Sequence, residues 1–295
     1  MSDIAQFPYR SRLAPSPTGR LHLGHARTFW TAFERARAAG GTLILRNEDL
    51  DPQRSKPEFV SAFIEDLHWL GIDWQEGPDI GGPFAPYVQS ERRELHREVL
   101  RELIVGGYVF ACTCSRKDIQ SASNAPHGAD EEPLYSGACR PRVVQGDAGA
   151  AARLDPAAWG LEAGVRFSLR LRVPDGRGVS FVDDQCGAQN YVAGRDFGDF
   201  VLWRQDDVPA YQLAVVADDL AMRITEVVRG ADLLVSTARQ MLLYEAQGQS
   251  PPAWFHCPLV TDGSGQRLAK RSDALSLRAL REQGRSPEQV RSMWG

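Results

Sequence analysis

The sequence has little of three features that would each indicate a particular class of protein. Its uncharged runs are short: residues 103–114, for example, contain two glycines and are fewer than the roughly 20 apolar residues that cross a bilayer. The first ten residues lack the apolar core of a signal peptide. Five cysteines are an odd number in a chain without an export signal, which argues against a disulfide framework and favours thiols or a metal site. We therefore expect a cytoplasmic protein that does not associate with membranes.

The sequence also lacks the surplus of positive charge that by itself indicates a nucleic-acid-binding protein, since its net charge is −4. A sum over the whole chain can hide a local basic surface. Residues 267–295 carry seven basic and three acidic side chains, so this last segment is basic while the rest of the chain is acidic. A solvated helical face is the alternative interpretation of the segment.

The composition is that of a globular protein, with 43% hydrophobic and 24% charged residues among 295. This length suffices for one large domain or for a main domain that carries a smaller one. Helical and strand periodicities alternate along most of the chain, which predicts an α/β fold with a parallel sheet covered by helices. Strands are predicted near residues 12–14 and 42–46, and helices over 24–39, 57–70 and 90–104.

A segment of different character interrupts this pattern. Residues 121–133 and 146–164 are rich in small and turn-forming residues, which indicates the loops of an insertion of roughly 85 residues. From Val165 to Val173 apolar residues alternate with polar ones, which include Arg166, Arg170 and Arg172. This alternation predicts a half-buried strand with an arginine face, joined in a hairpin to residues 179–182. The α/β pattern resumes near residue 199.

The densest group of polar and turn-forming residues runs from Arg12 to His25. A short strand enters the turn Pro15–Gly19, and a helix follows. Backbone N–H groups at the start of such a helix, together with its positive dipole end, suit a phosphate. His22 and His25 can add donors, and Gly24 between them lets a flat ring approach the backbone. Taken alone, the two histidines are equally compatible with surface residues or with part of a metal site.

This stretch resembles the opening signature of class I aminoacyl-tRNA synthetases of the glutamyl type, in which residues 22–25 correspond to the HIGH motif. Three further segments match motifs of that family in order and spacing: Leu45–Asp51, Val228–Leu233 and Arg267–Arg271, the last in the place of the KMSKS loop. The resemblance implies a Rossmann-like catalytic domain that activates an amino acid with ATP.

In the implied reaction, a carboxylate attacks the α-phosphate of ATP, which requires positioned positive charge rather than a covalent nucleophile. The resemblance assigns ATP binding to His22, Gly24, His25 and Lys270, and catalysis to the two histidines and the lysine. Mg²⁺ is expected to be carried largely by the phosphates. Arg267 and Ala269 stand where the usual loop has a lysine and a serine, so loop closure is expected to be weaker or differently held.

Glutamate presents two carboxylates and an ammonium group, so its pocket needs two cations and one acid. Arg12 and Arg229 match the first need, because a guanidinium binds a carboxylate through two parallel hydrogen bonds. Glu48 matches the second. The resemblance adds Ala14, Ser16 and Tyr211 to this pocket. Which arginine binds which carboxylate stays open at this point.

Three cysteines, Cys112, Cys114 and Cys139, predict a structural zinc site that stabilises an insertion with little core of its own. An imidazole or a thiolate is the usual fourth ligand, which favours His127, whereas the resemblance to the synthetase family implies Tyr135, which we adopt. Three reduced, partly buried thiols are the alternative interpretation.

Relatives of the glutamyl type continue past the KMSKS loop into a large helical domain that grips the anticodon, and this sequence has only a short tail there. We expect a catalytic domain in two halves, residues 1–105 and 195–260. Residues 106–194 are expected to form an inserted, zinc-containing acceptor-type subdomain. Residues 261–295 would then form the KMSKS-like loop and a short helical tail, without an anticodon-binding domain.

This shortened form resembles a paralogue of the family that attaches glutamate to queuosine at the anticodon wobble position of tRNA(Asp). The arginine face and the basic tail would then contact phosphates of the anticodon stem-loop. The expected ligands are ATP, L-glutamate, Mg²⁺ and one structural Zn²⁺ per chain, and the expected state is a monomer. Two alternatives stay open, namely a minimal synthetase that charges a tRNA 3′ end and a non-catalytic RNA-binding relative.

Overall fold

The computed structural model describes residues 8–115, 117–118, 134–141, 154–260 and 276–294. The strands in these residues are β1 Arg10–Leu13, β2 Thr42–Leu45, β3 Val109–Cys112, β4 Ser168–Leu171, β5 Gly178–Asp183, β6 Gly187–Val192, β7 Phe200–Trp203, β8 Glu226–Gly230 and β9 Ala253–Cys257. The α-helices are α1 Leu23–Ala38, α2 Pro57–Leu70, α3 Arg93–Val105, α4 Tyr211–Ala221, α5 Leu234–Ala246, α6 Leu277–Glu282 and α7 Pro287–Arg291. Short 3₁₀ helices span Gln89–Arg92, Pro156–Trp159, Ala231–Leu233 and Ser292–Trp294.

The described strands form three sheets. β1 and β2 pair in parallel, and β8 and β9 do the same in a sheet of order β6-β5-β9-β8. The third sheet, β3-β4-β7, is antiparallel. The backbone N–H of Thr225 donates to the carbonyl of Arg10 at 2.9 Å, which ties the start of β1 to the entry of β8. Parallel pairing places the carboxyl ends of paired strands at one edge, where α/β proteins bind ligands.

α1 packs against β1, β2 and β8, and its sequence explains why. Its buried residues recur every three or four positions: Leu23, Ala26, Phe29, Ala32 and Ala36. α2 begins with Pro57 in its first turn, where no backbone N–H is needed. It ends at Gly71, which has a φ of 87° and so lies in the left-handed region that favours glycine.

The two short C-terminal helices belong to the core around α1. Three of their residues are buried in it: Leu277, Leu280 and Val290. Burying one such side chain contributes about 1.5–3 kcal/mol. Arg291 adds a polar attachment, since its Nη1 donates to the carbonyl of Leu70 at 2.7 Å and its guanidinium lies 4.4 Å from the centre of the Trp30 ring. The tail is therefore docked on the first half of the chain.

The predicted α/β fold is confirmed, and helices are found over the three ranges that periodicity predicted for the first 105 residues. The sequence of residues 286–289, Ser-Pro-Glu-Gln, predicts a capping box for the last helix, and the structure contains it at the start of α7. The Ser286 hydroxyl accepts from the backbone N–H of Gln289, and the Gln289 side chain accepts from the backbone N–H of Ser286.

The predicted hairpin between residues 165–173 and 179–182 is wrong. β4 pairs with β3 on one side and with β7 on the other, so both of its edges are filled by strands from elsewhere in the chain. β5 makes its hairpin with β6 instead, and its other edge meets β9 at one position. A local turn signal shows where the chain reverses, but burial against distant strands decides which strands pair.

A search of the described residues for membrane-spanning segments found no helix that combines the necessary length with sufficient apolar character.

Candidate active site

The turn that follows β1 lies against the segment that follows β2. The backbone N–H of Glu48 donates to the carbonyl of Pro15 at 3.0 Å, and that of Lys56 donates to the carbonyl of Pro17 at 2.9 Å. Of the two predicted pocket residues here, Ala14 is partly buried and Ser16 is exposed. The first and second predicted motifs are therefore in contact through their backbones.

The HIGH-type residues begin α1. The His22 Nδ1 accepts from the backbone N–H of Gly24 at 3.2 Å, and the His25 Nδ1 accepts from the backbone N–H of His22 at 3.4 Å. The two imidazole rings lie with their centroids 3.9 Å apart. A Cβ on Gly24 would come within 3.2 Å of the His22 ring, so glycine makes room for this arrangement. The first turn of α1 holds no acidic residue, which leaves the positive end of the helix suited to an anion.

Arg12 of β1 and Arg46, directly after β2, share the carboxylate of Asp219 from α4. The Arg12 Nε lies 3.2 Å from Asp219 Oδ1, and the Arg46 Nη1 lies 2.7 Å from the same oxygen. Arg46 also donates to Glu48 Oε1, from Nη2 at 2.9 Å and from Nε at 3.3 Å. All four side chains are buried. The two arginines and two acids thus form one buried charged cluster.

The pKa values of this cluster reflect its burial and its mutual attraction. Burial alone would lower the pKa of Arg46, but the charges of Asp219 and Glu48 raise it. For Glu48, burial raises the pKa, and the positive charges of Arg46 and Arg12 only partly oppose this. A further positive charge beside Glu48 would therefore lower its pKa and stabilise the ionised carboxylate.

Arg229 at the end of β8 is also buried, but it is held differently. Its Nε donates to His256 Nε2 at 3.2 Å, its Nη1 to the Tyr211 hydroxyl at 3.4 Å and its Nη2 to the Thr237 hydroxyl at 2.6 Å. Among the described residues no carboxylate hydrogen-bonds to it. Burial lowers the pKa of Arg229 and repulsion from Arg12 adds to this, against the opposing influence of Tyr211 and of the more distant Asp219. Burying a cation beside neutral acceptors alone is costly, so Arg229 is a candidate binding group for an anion.

His256 lies beside Arg229 on the neighbouring strand β9, in register with it. Its Nδ1 lies 2.6 Å from Asp183 Oδ2 at the end of β5, and its Nε2 lies 2.9 Å from the Thr237 hydroxyl. The side chain is fully buried. Burial and the charge of Arg229 lower the pKa of His256 to about 4, against the attraction of Asp183. The imidazole is therefore neutral near pH 7.

Sequence reasoning did not single out four residues of these networks: Arg46, Asp219, Thr237 and His256. For two of them, Arg46 and Asp219, the sequence contained a feature from which their role could have been predicted. Arg46 belongs to the quoted motif 45–51, and Asp219 is half of an adjacent acid pair in an otherwise apolar helix, where a charge must find a buried partner. The other two are ordinary polar residues, and only their contact with Arg229 distinguishes them.

The three predicted zinc-binding cysteines do come together. The Sγ atoms of Cys112, Cys114 and Cys139 all lie within 4.8 Å of one another. The Tyr135 hydroxyl lies 3.3 Å from Cys112 Sγ and 3.9 Å from Cys114 Sγ, and it accepts from the backbone N–H of Cys139 at 2.8 Å. Three thiols around a bound Zn²⁺ with Zn–S bonds of about 2.3 Å would be separated by just under 4 Å, so this cluster fits that ion.

The predicted arginine face of β4 is only partly correct. Arg166 is exposed, but Arg170 is buried. Arg170 donates to the carbonyl of Asp199 at 2.9 Å, and its guanidinium lies 4.2 Å from the centre of the Tyr135 ring. This arginine therefore supports the cysteine cluster instead of facing solvent, because β7 and the segment around residue 135 cover that side of the strand. Lys270, Arg267, Ala269 and His127 lie outside the described residues.

Comparison with known proteins identifies the class. Residues 9–294 match the family described as class I tRNA synthetases (E and Q), catalytic domain. The chain belongs to this family and is an enzyme of the class I synthetase type. The resemblance that the four motifs indicated is thereby confirmed.

Individual relatives are similar over most of the chain. A protein of Nitratidesulfovibrio vulgaris named glutamyl-Q tRNA(Asp) synthetase is 48% identical over 93% of this chain and 82% of its own length. A protein of the same name from Symbiobacterium thermophilum is 48% identical over 95% and 83%. Among solved structures, a glutamate tRNA ligase from Elizabethkingia meningosepticum, in complex with its amino acid, superposes with a TM-score of 0.73 at 32% identity. It covers 90% of this chain, which spans 52% of that one.

Proposed function

We propose that this protein activates L-glutamate with ATP and transfers the glutamyl group to queuosine at the anticodon wobble position of tRNA(Asp). The observation that carries the activation step is the buried guanidinium of Arg229, which lacks an acid partner among the described residues. Arg12 and Arg46 are buried in the same site, but they share the buried acids Asp219 and Glu48. A guanidinium that no acid of the described residues contacts directly suits a carboxylate of glutamate, and Glu48 suits the ammonium group.

The arrangement also favours one orientation of glutamate. Asp219 already neutralises much of the charge of Arg12, whereas Arg229 meets only neutral acceptors. Arg229 is therefore the stronger carboxylate site, with the Tyr211 hydroxyl beside it as a second donor. Both hydrogen bonds from Arg46 are donated to Oε1 of Glu48. We therefore assign the other oxygen, Oε2, as the acceptor for the ammonium group of glutamate.

ATP would lie at the start of α1. His22 and His25 flank the helix N-terminus, and the reaction places growing negative charge on the phosphates. Mg²⁺ carried by the phosphates would supply further positive charge when bound. Ser276 pairs with His22 in an isolated antiparallel bridge. Since Lys270 precedes Ser276 by six residues, a span of at most about 20 Å of chain, the lysine is within reach of the same phosphates.

The cysteine cluster supports a structural role for zinc. We propose that Cys112, Cys114, Cys139 and Tyr135 hold one Zn²⁺ that stabilises the insertion predicted over residues 106–194. Burial raises the pKa of Cys114 to about 12 without metal, and the bonds that Cys139 receives lower its pKa to about 7. A bound cation would favour the thiolate at every position.

The acceptor is inferred from the two relatives named glutamyl-Q tRNA(Asp) synthetase, most of whose length this chain spans. Transfer to a tRNA 3′ end is the second candidate, because the superposed glutamate tRNA ligase shares the same catalytic fold. The two candidates share the activation step and differ only in the nucleoside that accepts glutamate.

One experiment separates them. The protein is incubated with labelled glutamate, ATP, Mg²⁺ and tRNA from queuine-fed or queuine-starved cells, and nuclease digestion then locates the label. Label on an anticodon fragment of tRNA(Asp), only from fed cells, is the expected result. Label on the 3′ adenosine from both sources would instead identify a minimal charging enzyme.

A pair of variants tests whether the chain is catalytic at all. Lys270→Ala should abolish glutamate-dependent exchange between ATP and pyrophosphate, whereas Lys117→Ala, which removes the same charge from an exposed residue, should not. A parent protein without any exchange would favour the non-catalytic alternative and overturn the proposal.

A further inference from the structure

The groups that hold Arg229 form a chain of neutral acceptors that ends on a buried acid. Arg229 Nε and the Thr237 hydroxyl both point to His256 Nε2, at 3.2 Å and 2.9 Å. Beyond the imidazole, His256 Nδ1 lies 2.6 Å from Asp183 Oδ2. The only carboxylate in this chain of contacts is thus separated from Arg229 by the full width of a ring.

These distances determine the tautomer of His256. Nε2 accepts from the Arg229 Nε and so carries no proton, which places the single proton of the neutral ring on Nδ1, where it is donated to Asp183. Asp183 is itself fixed, since its Oδ1 accepts from the backbone N–H groups of Gln185 at 3.0 Å and Cys186 at 2.7 Å. The same oxygen also accepts from the backbone N–H of His256 at 3.3 Å.

The surroundings keep this imidazole neutral. The charged groups that act on it are Asp183 at the end of β5, Arg229 on β8 and Arg12 on β1, and both arginines oppose its protonation. The Cys186 thiol approaches only its backbone carbonyl, and the Trp254 ring stacks at 6.4 Å. An imidazolium here would lose its acceptor function and repel the guanidinium.

We propose that His256 and Thr237 are positioning residues that orient the Arg229 guanidinium through neutral acceptors, so that its charge stays available to a substrate carboxylate. This inference rests on the proposed function, in which Arg229 binds glutamate. Arg12 shows the alternative arrangement in the same site, because Asp219 contacts it directly and balances its charge. The neutral support thus determines which of the two arginines binds a carboxylate more strongly.

Position 237 offers a matched pair of variants that separates orientation from charge. Thr237→Asn keeps a neutral acceptor beside Arg229, and Thr237→Asp puts a carboxylate of the same shape there. The KM for glutamate and the KM for ATP are measured in the exchange assay, and thermal unfolding is followed in parallel. A role limited to packing would affect the two variants alike, since their side chains have the same size.

We expect Thr237→Asp to raise the KM for glutamate about 100-fold relative to Thr237→Asn. The new carboxylate would form an ion pair with Arg229 and so compete with the carboxylate of glutamate. The KM for ATP should differ less than about threefold between the two, and the Asp variant should unfold at the same or a higher temperature. His256→Gln, which keeps an acceptor near the position of Nε2, should retain glutamate binding better than His256→Leu.

Two results would count against the inference in different ways. Equal KM values for glutamate in the Asn and Asp variants of an active parent would overturn the neutral-support argument alone. A parent that shows no glutamate-dependent exchange would overturn the proposed function and this inference together.

Discussion

Substitution by methionine should strongly lower the free energy of unfolding at Arg46 but hardly change it at Arg229. Arg46→Met removes the shared partner of Asp219 and Glu48 and leaves both acids buried. Breaking a buried ion pair from one side costs about 3–5 kcal/mol of the free energy of unfolding, because the remaining charge is uncompensated. Arg229→Met removes a charge that no acid of the described residues contacts.

The magnitude for Arg229 follows from its three contacts. Its removal forfeits three hydrogen bonds from a charged donor to neutral acceptors, each with a net contribution of about 1.5 kcal/mol. It also relieves the cost of burying an uncompensated cation, which amounts to several kcal/mol. The two effects offset each other, so the free energy of unfolding of Arg229→Met should stay within about 1 kcal/mol of the parent.

The activity of Arg229→Met should fall strongly although its stability hardly changes. If Arg229 donates two charge-assisted hydrogen bonds to a glutamate carboxylate, their loss costs at least about 3 kcal/mol, or more than 100-fold in kcat/KM for glutamate. Urea unfolding and the exchange assay measure the two quantities on the same preparations. The reasoning fails if Arg229→Met is destabilised as much as Arg46→Met, or if it uses glutamate as well as the parent does.

Three further predictions concern pH, zinc and the tail. Because the pKa of His256 is about 4 in the folded protein and 6.5 in the unfolded chain, only the unfolded chain gains a proton as the pH falls from 7 to 5. The parent should therefore lose up to about 2 kcal/mol more stability than His256→Gln over this interval in urea unfolding. The purified parent should contain one zinc ion per chain by elemental analysis, and Cys139→Ser and Tyr135→Phe should each contain less. Leu277→Ala should lower the free energy of unfolding by about 2–5 kcal/mol, because the side chain is fully buried between the tail and α1.

Each of these has its own control. For pH, identical loss of stability in the parent and in His256→Gln would mean that this imidazole is not the group that titrates. For zinc, the exposed Tyr108→Phe should leave the metal content unchanged, and retention of zinc by Cys139→Ser would remove the cysteine cluster as its site. For the tail, Met293→Ala at an exposed position should cost much less than Leu277→Ala, and equal effects would argue against the docked helix.

Much of the site was predictable because its features are local in the chain. The HIGH-type segment forms a turn and a helix start from adjacent residues, and the Cys112 to Cys139 spacing brings thiols together over a short distance. Amphipathic periodicity likewise placed the helices of the first third. The capping box at Ser286 needed only four consecutive residues, and it is present with both of its bonds.

The predictions failed where a strand or side chain contacts partners from distant segments of the chain. The turn after residue 173 indicated a hairpin, but β3 and β7 occupy both edges of β4, and Arg170 is drawn inward with that strand. Cross-strand partners compete through burial, which a local pattern does not encode. His256 carried no recognisable signal, since its importance comes from one neighbour on β8 and another on β5.

The sequence by itself determined the class of enzyme and the fold type, and it supplied the candidate residues for the substrate site, because all three depend on motifs with local geometry. Only the tertiary structure decided how the three buried arginines differ. Arg12 and Arg46 meet Asp219 from α4, whereas Arg229 meets the neutral groups of α5 and β9. The physical reason is that burial makes every charge costly, so the nearest neighbour in space decides whether an arginine is already balanced or is left to bind a substrate.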